Sequence, residues 1–406
     1  MSKSDKYIIM LGCFDTKGED FSFLLKHIQA HGEKVITINT GVMENTGDFK
    51  IDFDADMVAQ EGGTNLKNIR KYGDRGKAVE IMGNGAASII SKLVDQGKVK
   101  GAIGMGGGGG TYIALSAMQG IPLGVPKFCL TTLAAKDLSR QIGTKDITLM
   151  PSVVDVAGLN SISKLLIRQA AAAICGMVSV DAFEEDKSKG SIAISMFGNT
   201  TKCVDKCTEL LKREGYDVLA FHATGVGGST MEALIREGCF DGVLDVTTTE
   251  LADYLCDGIC SAGPDRLTAA AQMGVPQVVV PGCLDMVNFA QLDTVPEQFK
   301  DRQLYSWAPD VTLMRTNAIE NKQLGEMLAH KVNKSKAAAA ILLPNKGISQ
   351  VDAKGGIFYQ PTYNRILFDT IKKETKTQFP VRKLDLNIND EAFAIELVNT
   401  LLKMIK

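Results

Sequence analysis

The chain has 406 residues, with 45 lysines and arginines against 47 aspartates and glutamates, and 40 glycines against 11 prolines. That length is two to three domains at about 150 residues each, enough to bury a large core without disulfides or metals. A formal net charge of −2 excludes the basic footprint of a dedicated nucleic-acid binder, and the low proline content excludes a disordered Pro/Gly-rich polymer.

Residues 7–12 are an apolar run of strand length that ends in a polar turn, Cys13–Glu19. Phe21, Leu24, Leu25 and Ile28 follow at helical spacing, Gly32 stops the helix, and Val35–Asn39 reads as the next strand. Strand–helix–strand is the building block of parallel sheets. The same grammar returns with a strand at Lys100–Met105, a loop at Gly106–Gly110, a helix at Thr111–Met118 and a strand within Gly124–Thr131. Leu159–Met177 reads as a long Ala-rich helix, able to cross between domains. The charged stretch Asp181–Gly190 then places a boundary near residue 185, giving domains 1–185 and 186–406.

The chain also resembles itself. Residues 192–226 echo residues 8–42: Thr201-Lys202 aligns with Thr16-Lys17, and Gly225-Val226 with Gly41-Val42 after a one-residue gap. Gly274-Val275-Pro276 likewise repeats Gly124-Val125-Pro126. One α/β unit used twice predicts two similarly folded halves.

Nine cysteines, an odd number without a CxxC pair, do not form a disulfide framework and suggest a reduced, cytoplasmic protein. Cys203/Cys207 and Cys256/Cys260 are spaced i,i+4, a metal-compatible spacing that small buried thiols also produce. The N-terminal apolar run is too short for a signal peptide, and no stretch approaches the ~18 continuous apolar residues of a membrane span. No membrane partner is expected.

The strongest local signal is GMGGGGGT, Gly104–Thr111, where five consecutive glycines separate a strand from a helix. In open parallel sheets, ligands bind at the carboxyl ends of strands. Glycine there lets backbone N–H groups reach an anion, and the helix N-terminus adds partial positive charge. Gly106, Gly107, Gly108, Gly109, Gly110 and Thr111 are therefore candidate phosphate-binding residues, joined by Thr131 and Thr132 at the end of the next strand. Gly110 stands where a Walker A loop needs lysine. No acidic residue ends the next strand, so an ordinary dinucleotide site is not supported either.

Asp15 and Lys17 bring charges to the first strand end: Lys17 to hold a phosphate or carboxylate, Asp15 to hold a metal-bound water or simply to cap the helix. In the second half, His222 borders the glycine-rich HATGVGGST (222–230) and is either a general base or a hydrogen-bonded strand-end histidine. Asp245 ends a strand and is a ligand or metal candidate. Thr247-x-x-Glu250 matches a capping box. Arg266 either clamps an anion or forms a surface pair with Asp265. Asp285, Asn288, Arg315 and the loop Pro344–Ser349 also follow apolar strands, which suggests a shared cleft.

Taken together, FDTKG (14–18), GMGGGGGT, the SVVDVAGLN segment ending at Asn160, FHATG (221–225), DGVLDVTTTELAD (241–253), SAGPDRL (261–267), DMVNF (285–289) and VTLMRTN (311–317) resemble one family across essentially the whole chain. It is the uncharacterised bacterial family related to the ATP-binding N-terminal domain of a plant tobamovirus-resistance protein. The resemblance implies an α/β fold of two Rossmann-like, parallel-sheet subdomains in tandem with a cleft between them. It also implies a homodimer and ATP with Mg²⁺ as ligand. Gly108 stands where that family usually has serine.

Three functions stay open at this point. The first is a nucleotide-binding enzyme acting on a small acidic or carbonyl metabolite, with Asp15 or Asp245 near the metal and Lys17 or Arg266 countering charge. The second is an enzyme acting on a sugar phosphate, acyl-CoA or carboxylic acid without ATP, with His222 as base. The third is a non-catalytic, ATP-dependent binding protein.

Overall fold

The computed structural model describes residues 6–180 and 188–405. They form two compact units, Met1–Glu184 and Glu185–Lys406. The sequence boundary near residue 185 falls outside the described residues.

The first unit runs β1 (Tyr7–Gly12), α1 (Phe14–Ala30), β2 (Val35–Asn39), α2 (Ala55–Glu61), α3 (Leu66–Tyr72), α4 (Arg75–Asp95), β3 (Val99–Gly106), α5 (Gly108–Met118), β4 (Lys127–Thr131), α6 (Ser139–Ile142), β5 (Ile147–Pro151) and α7 (Ser161–Ser179). Its five strands pair in the order β2-β1-β3-β4-β5, all parallel. This is a doubly wound, Rossmann-like sheet. Alternation along β1 shows why. Ile9 and Leu11 join the core beneath α2, α4 and α5, whereas Ile8 and Met10 join the core beneath α1 and α7. Each such side chain contributes about 1.5–3 kcal/mol when fully buried.

Two expected elements differ. α5 begins at Gly108, so Gly108–Gly110 lie in its first turn, Gly106 ends β3 and only Gly107 stands between them. α7 is the one described helix long and apolar enough to cross a membrane by length and composition. It does not run between domains: Ile167, Ala170, Ala171 and Ile174 are buried in the first unit's core.

The second unit runs β6 (Ser191–Met196), α8 (Thr201–Arg213), β7 (Asp217–His222), α9 (Val226–Arg236), β8 (Gly242–Thr247), α10 (Glu250–Leu255), α11 (Ala269–Met273), β9 (Gln277–Gly282), β10 (Met286–Phe289), β11 (Leu304–Ala308), β12 (Val311–Arg315), α12 (Ala318–Val332), β13 (Ala339–Pro344), α13 (Pro361–Glu374), β14 (Val381–Leu384) and α14 (Glu391–Leu402). Its main sheet is parallel, in the order β7-β6-β8-β9-β13-β14. The first five strands therefore repeat the first unit's order, 2-1-3-4-5, in agreement with the internal repeat.

An additional antiparallel sheet, β10-β12-β11, corrects the reading of Asn288 and Arg315 as residues of loops that follow apolar strands. Asn288 lies within β10 and Arg315 ends β12. Arg315 is buried among Phe358 O, Asn364 Oδ1 and Asp352.

Candidate functional site

In a 2-1-3-4-5 sheet the order in which strands are added reverses between strands 1 and 3, and the crevice at their carboxyl ends is where such folds bind ligands. In the first unit that crevice lies between the ends of β1 and β3. It holds a cavity of about 420 Å³ lined by Asp15, Lys17, Gly107–Gly110, Arg75 and Asp155.

Gly107 is the N-cap of α5 and has no side chain to offer the first turn. The leading N–H groups of a helix have no intrahelical acceptor, so they point toward the cavity as unused donors. The reason for glycine differs along the run. At Gly104 a Cβ would collide with Ala114, and at Gly106 it would stand 3.0 Å from Gly110 Cα. From Gly107 to Gly110, a Cβ would meet no atom of the protein closer than 3.4 Å, and none of the four has positive φ. Packing and backbone geometry therefore do not demand glycine at these four positions. Side chains there would fill the cavity instead.

Thr111 and Thr131 are behind this cradle. Both are fully buried, their hydroxyls are 2.6 Å apart, and Thr131 Oγ1 accepts the Leu133 N–H. Thr111 is thus neither the N-cap nor open to the cavity. Thr132 is exposed, its N–H donates to Gly106 O, and its hydroxyl lies near Gly107.

Asp15 is tied into the wall. Its Oδ1 accepts the Thr16 N–H at 2.7 Å, and its Oδ2 accepts the N–H groups of Val42 and Met43, both at 2.9 Å. A Cβ on Gly41 would overlap this carboxylate, which is why glycine follows β2 there. α1 starts at Phe14, earlier than its apolar periodicity indicates, and is kinked at Lys17 (φ −136°). Lys17 Nζ donates to Val156 O, and buried Asp20 accepts the Gly158 N–H at 3.2 Å. These two contacts hold the loop that presents Asp155 to the cavity. Burial pushes both the Asp20 carboxyl and the Cys13 thiol up, so Cys13 stays protonated at neutral pH.

The corresponding crevice of the second unit, between the ends of β6 and β8, contains a buried ion cluster. Arg266 is fully buried. Its NH1 and NH2 donate to the two carboxylate oxygens of Asp245, each at 2.6 Å, and its Nε donates to Glu250. Glu232 completes the ring at 3.4 Å. Ser195 Oγ donates to Asp245 at 2.7 Å.

Glu250 is not the end of a capping box with Thr247. Thr247 is in β8, and Glu250 Oε1 instead accepts the N–H groups of Gly225 and Gly228 at 2.8 and 3.1 Å. The glycine-rich loop of this unit is thereby filled by the protein's own carboxylate. Arg266 is an internal clamp and not a surface partner of Asp265. His222 is exposed, and its ring lies 5.4 Å from that of Phe197.

The family model of the UPF0261 N-terminal domain matches residues 6–183, and that of the C-terminal domain matches residues 189–405; both are described as an uncharacterised protein family. The chain belongs to the UPF0261 family. It is 44% identical over 405 residues to a UPF0261 protein of Clostridium tetani, covering 99% of this chain and 100% of that one. It is 40% identical to a UPF0261 protein of Mesorhizobium japonicum, over 96% and 97% of the two chains. It is also 36% identical to the tomato ToMV resistance protein Tm-1(GCR237), over 98% of this chain but 55% of the tomato protein.

In this UPF0261 chain, then, Asp15, Lys17 and Gly107–Gly110 line one cavity, whereas His222, Asp245 and Arg266 belong to the other unit. Sequence reasoning misses Arg75 and Asp155. Arg75 opens α4, is exposed, and places its guanidinium 3.9 Å from where a Gly109 Cβ would be. Asp155 lies inside the SVVDVAGLN segment, where no local pattern marks it out. Among the described residues, no group of three or more His, Cys, Asp or Glu side chains converges to hold a metal. Cys203 and Cys207 are packed in the core beneath α8 and α14.

Proposed function

We propose that the first unit binds ATP with Mg²⁺ in the cavity at the start of α5. The observation that carries this reading is the run Gly107–Gly110, whose lack of side chains serves no contact within the protein. The phosphates lie on the first-turn N–H groups of α5, where the helix dipole favours negative charge. Arg75 faces Gly109 and supplies a cation from the opposite wall, the part a Walker lysine plays elsewhere.

For the cation, Asp155 fits better than Asp15. The Asp15 carboxylate already accepts three backbone N–H groups, whereas Asp155 is exposed on the cavity wall. Bound Mg²⁺ would neutralise phosphate charge there. Asp245 is saturated by Arg266 and Ser195 and is not a metal ligand in this reading.

The function so described is nucleotide binding in a cytoplasmic protein. Among the described carboxylates and thiols of the cavity, Asp15 is occupied and Cys13 is held protonated, and this reading gives exposed Asp155 to the cation, which leaves no further group to act as general base. This favours a nucleotide-dependent binding protein, with an enzyme that uses this nucleotide as the second reading. A thermal-shift panel of ATP–Mg²⁺, AMP, NAD, a CoA ester and a sugar phosphate tests it. A ligand at 100 times its Kd adds about 2.7 kcal/mol of apparent stability. A shift with ATP–Mg²⁺ supports the reading; a shift confined to the CoA ester or sugar phosphate replaces it. Homodimerisation belongs to the same reading and is checked by light scattering.

A further inference from the structure

The second unit carries another cavity, of about 440 Å³, at the carboxyl ends of β13 and β14. Its charged lining is entirely cationic: Lys346 after β13, Lys383 on β14, Lys354 on the intervening loop and Arg365 in the first turns of α13. No carboxylate lines it, in a chain whose net charge is −2. Lys346 is paired with exposed Asp385 at 3.0 Å, and Lys383 sits 5.9 Å over the Phe368 ring. Lys354 and Arg365 are exposed and make no ion pair or side-chain hydrogen bond among the described residues. Four like charges around one hollow repel one another, and an anion bound between them would relieve that cost.

The floor of the cavity is fixed. Asn364, 4% exposed, donates to Asp352 and accepts from Arg315 NH2 at 2.9 Å, so α13 is anchored where it meets the cavity. The N-cap of α13, Gln360, makes no side-chain cap. Tyr359 adds a partly exposed ring to the wall.

We propose that this cavity is a second anion site, which takes a small molecule bearing a di- or triphosphate group. Arg365 contributes a fork matched to phosphate oxygens, and the lysines act as point charges. The volume suits a compact ligand and not a polymer track, since small-molecule sites span about 300–1,000 Å³. The inference does not depend on the nucleotide reading of the first unit.

Isothermal titration of the full chain with inorganic tripolyphosphate tests it, using Gly108→Val as background to remove binding at α5. Binding is expected to persist in that background. It should weaken by roughly tenfold or more when Lys354→Glu and Arg365→Glu are added, about 1.4 kcal/mol. A control pair with the same charge change, Lys372→Glu with Lys403→Glu, should leave it within twofold. Equal weakening by both pairs, or no binding in the Gly108→Val background, overturns the proposal. Tighter binding of a single-stranded oligonucleotide than of tripolyphosphate, lost with the same two substitutions, overturns it in favour of a nucleic-acid surface.

Discussion

The carboxylate of Glu250 occupies the space that a side chain on Gly228 would need, and it accepts the N–H groups of Gly225 and Gly228 at the start of α9. In the first unit the matching position of the repeat, Gly41-Val42, is held by Asp15. Both units thus place a buried carboxylate against the loop after their second strand. The first unit draws it from the first turn of α1, after its first strand, and the second unit from the first turn of α10, after its third. In the second unit this leaves the glycine loop filled; in the first unit the glycines of α5 remain open.

The two glycine runs should therefore respond oppositely to alanine. Gly228→Ala drives a methyl into the Glu250 carboxylate and should cost about 1–3 kcal/mol. Gly108→Ala meets nothing within 4 Å and should stabilise by about 0.5–1 kcal/mol, because alanine is the better helix former. Denaturant unfolding of both variants measures the contrast.

Arg266 holds three buried carboxylates. Arg266→Met leaves them uncompensated and should cost about 3–5 kcal/mol, read from unfolding. If Arg266 were instead a ligand-binding cation open to solvent, the variant would keep its stability and lose only binding.

Asp285 is fully buried, with Oδ2 accepting from Ser349 Oγ at 2.7 Å and Oδ1 without a partner. Burial, with Asp352 nearby, pushes its carboxyl up to about 7. Between about pH 4 and 7 the unfolded chain releases this proton while the native chain keeps it, so stability falls as pH rises through that window. The slope reaches about 1.4 kcal/mol per pH unit. Asp285→Asn should flatten it, as followed by urea unfolding at pH 5, 6 and 7.

Much of the fold is legible in the sequence because its signals are local. β1 is a nearly continuous apolar run, as a strand covered on both faces must be, and the 8–42/192–226 echo foretells the common strand order. The glycine cradle is equally local. Arg75 and Asp155 are not: they reach the cavity from about 30 residues before and 45 residues after the glycines, and only the crossing of α4 and the loop after β5 brings them there. Glu250 misleads because Thr-x-x-Glu spacing describes a helix cap, whereas its partners, Gly225, Gly228 and Arg266, are fixed by tertiary packing. The sheet β10-β12-β11 is missed although the two residues Pro309-Asp310 join β11 to β12 as a tight hairpin, because β10 pairs with β12 only across the intervening residues 290–310, which no local pattern foretells.

If Gly107–Gly110 are glycine for the sake of a bound phosphate, a side chain among them must cost affinity and leave the fold intact. Calorimetric titration of ATP–Mg²⁺ into the wild-type chain and into Gly108→Val, with the unfolding of each measured in parallel, tests this most directly. The expected result is binding to the wild type, and at least tenfold weaker binding to a variant that remains folded. Absence of binding to the wild type, or equal affinity in both, would contradict it.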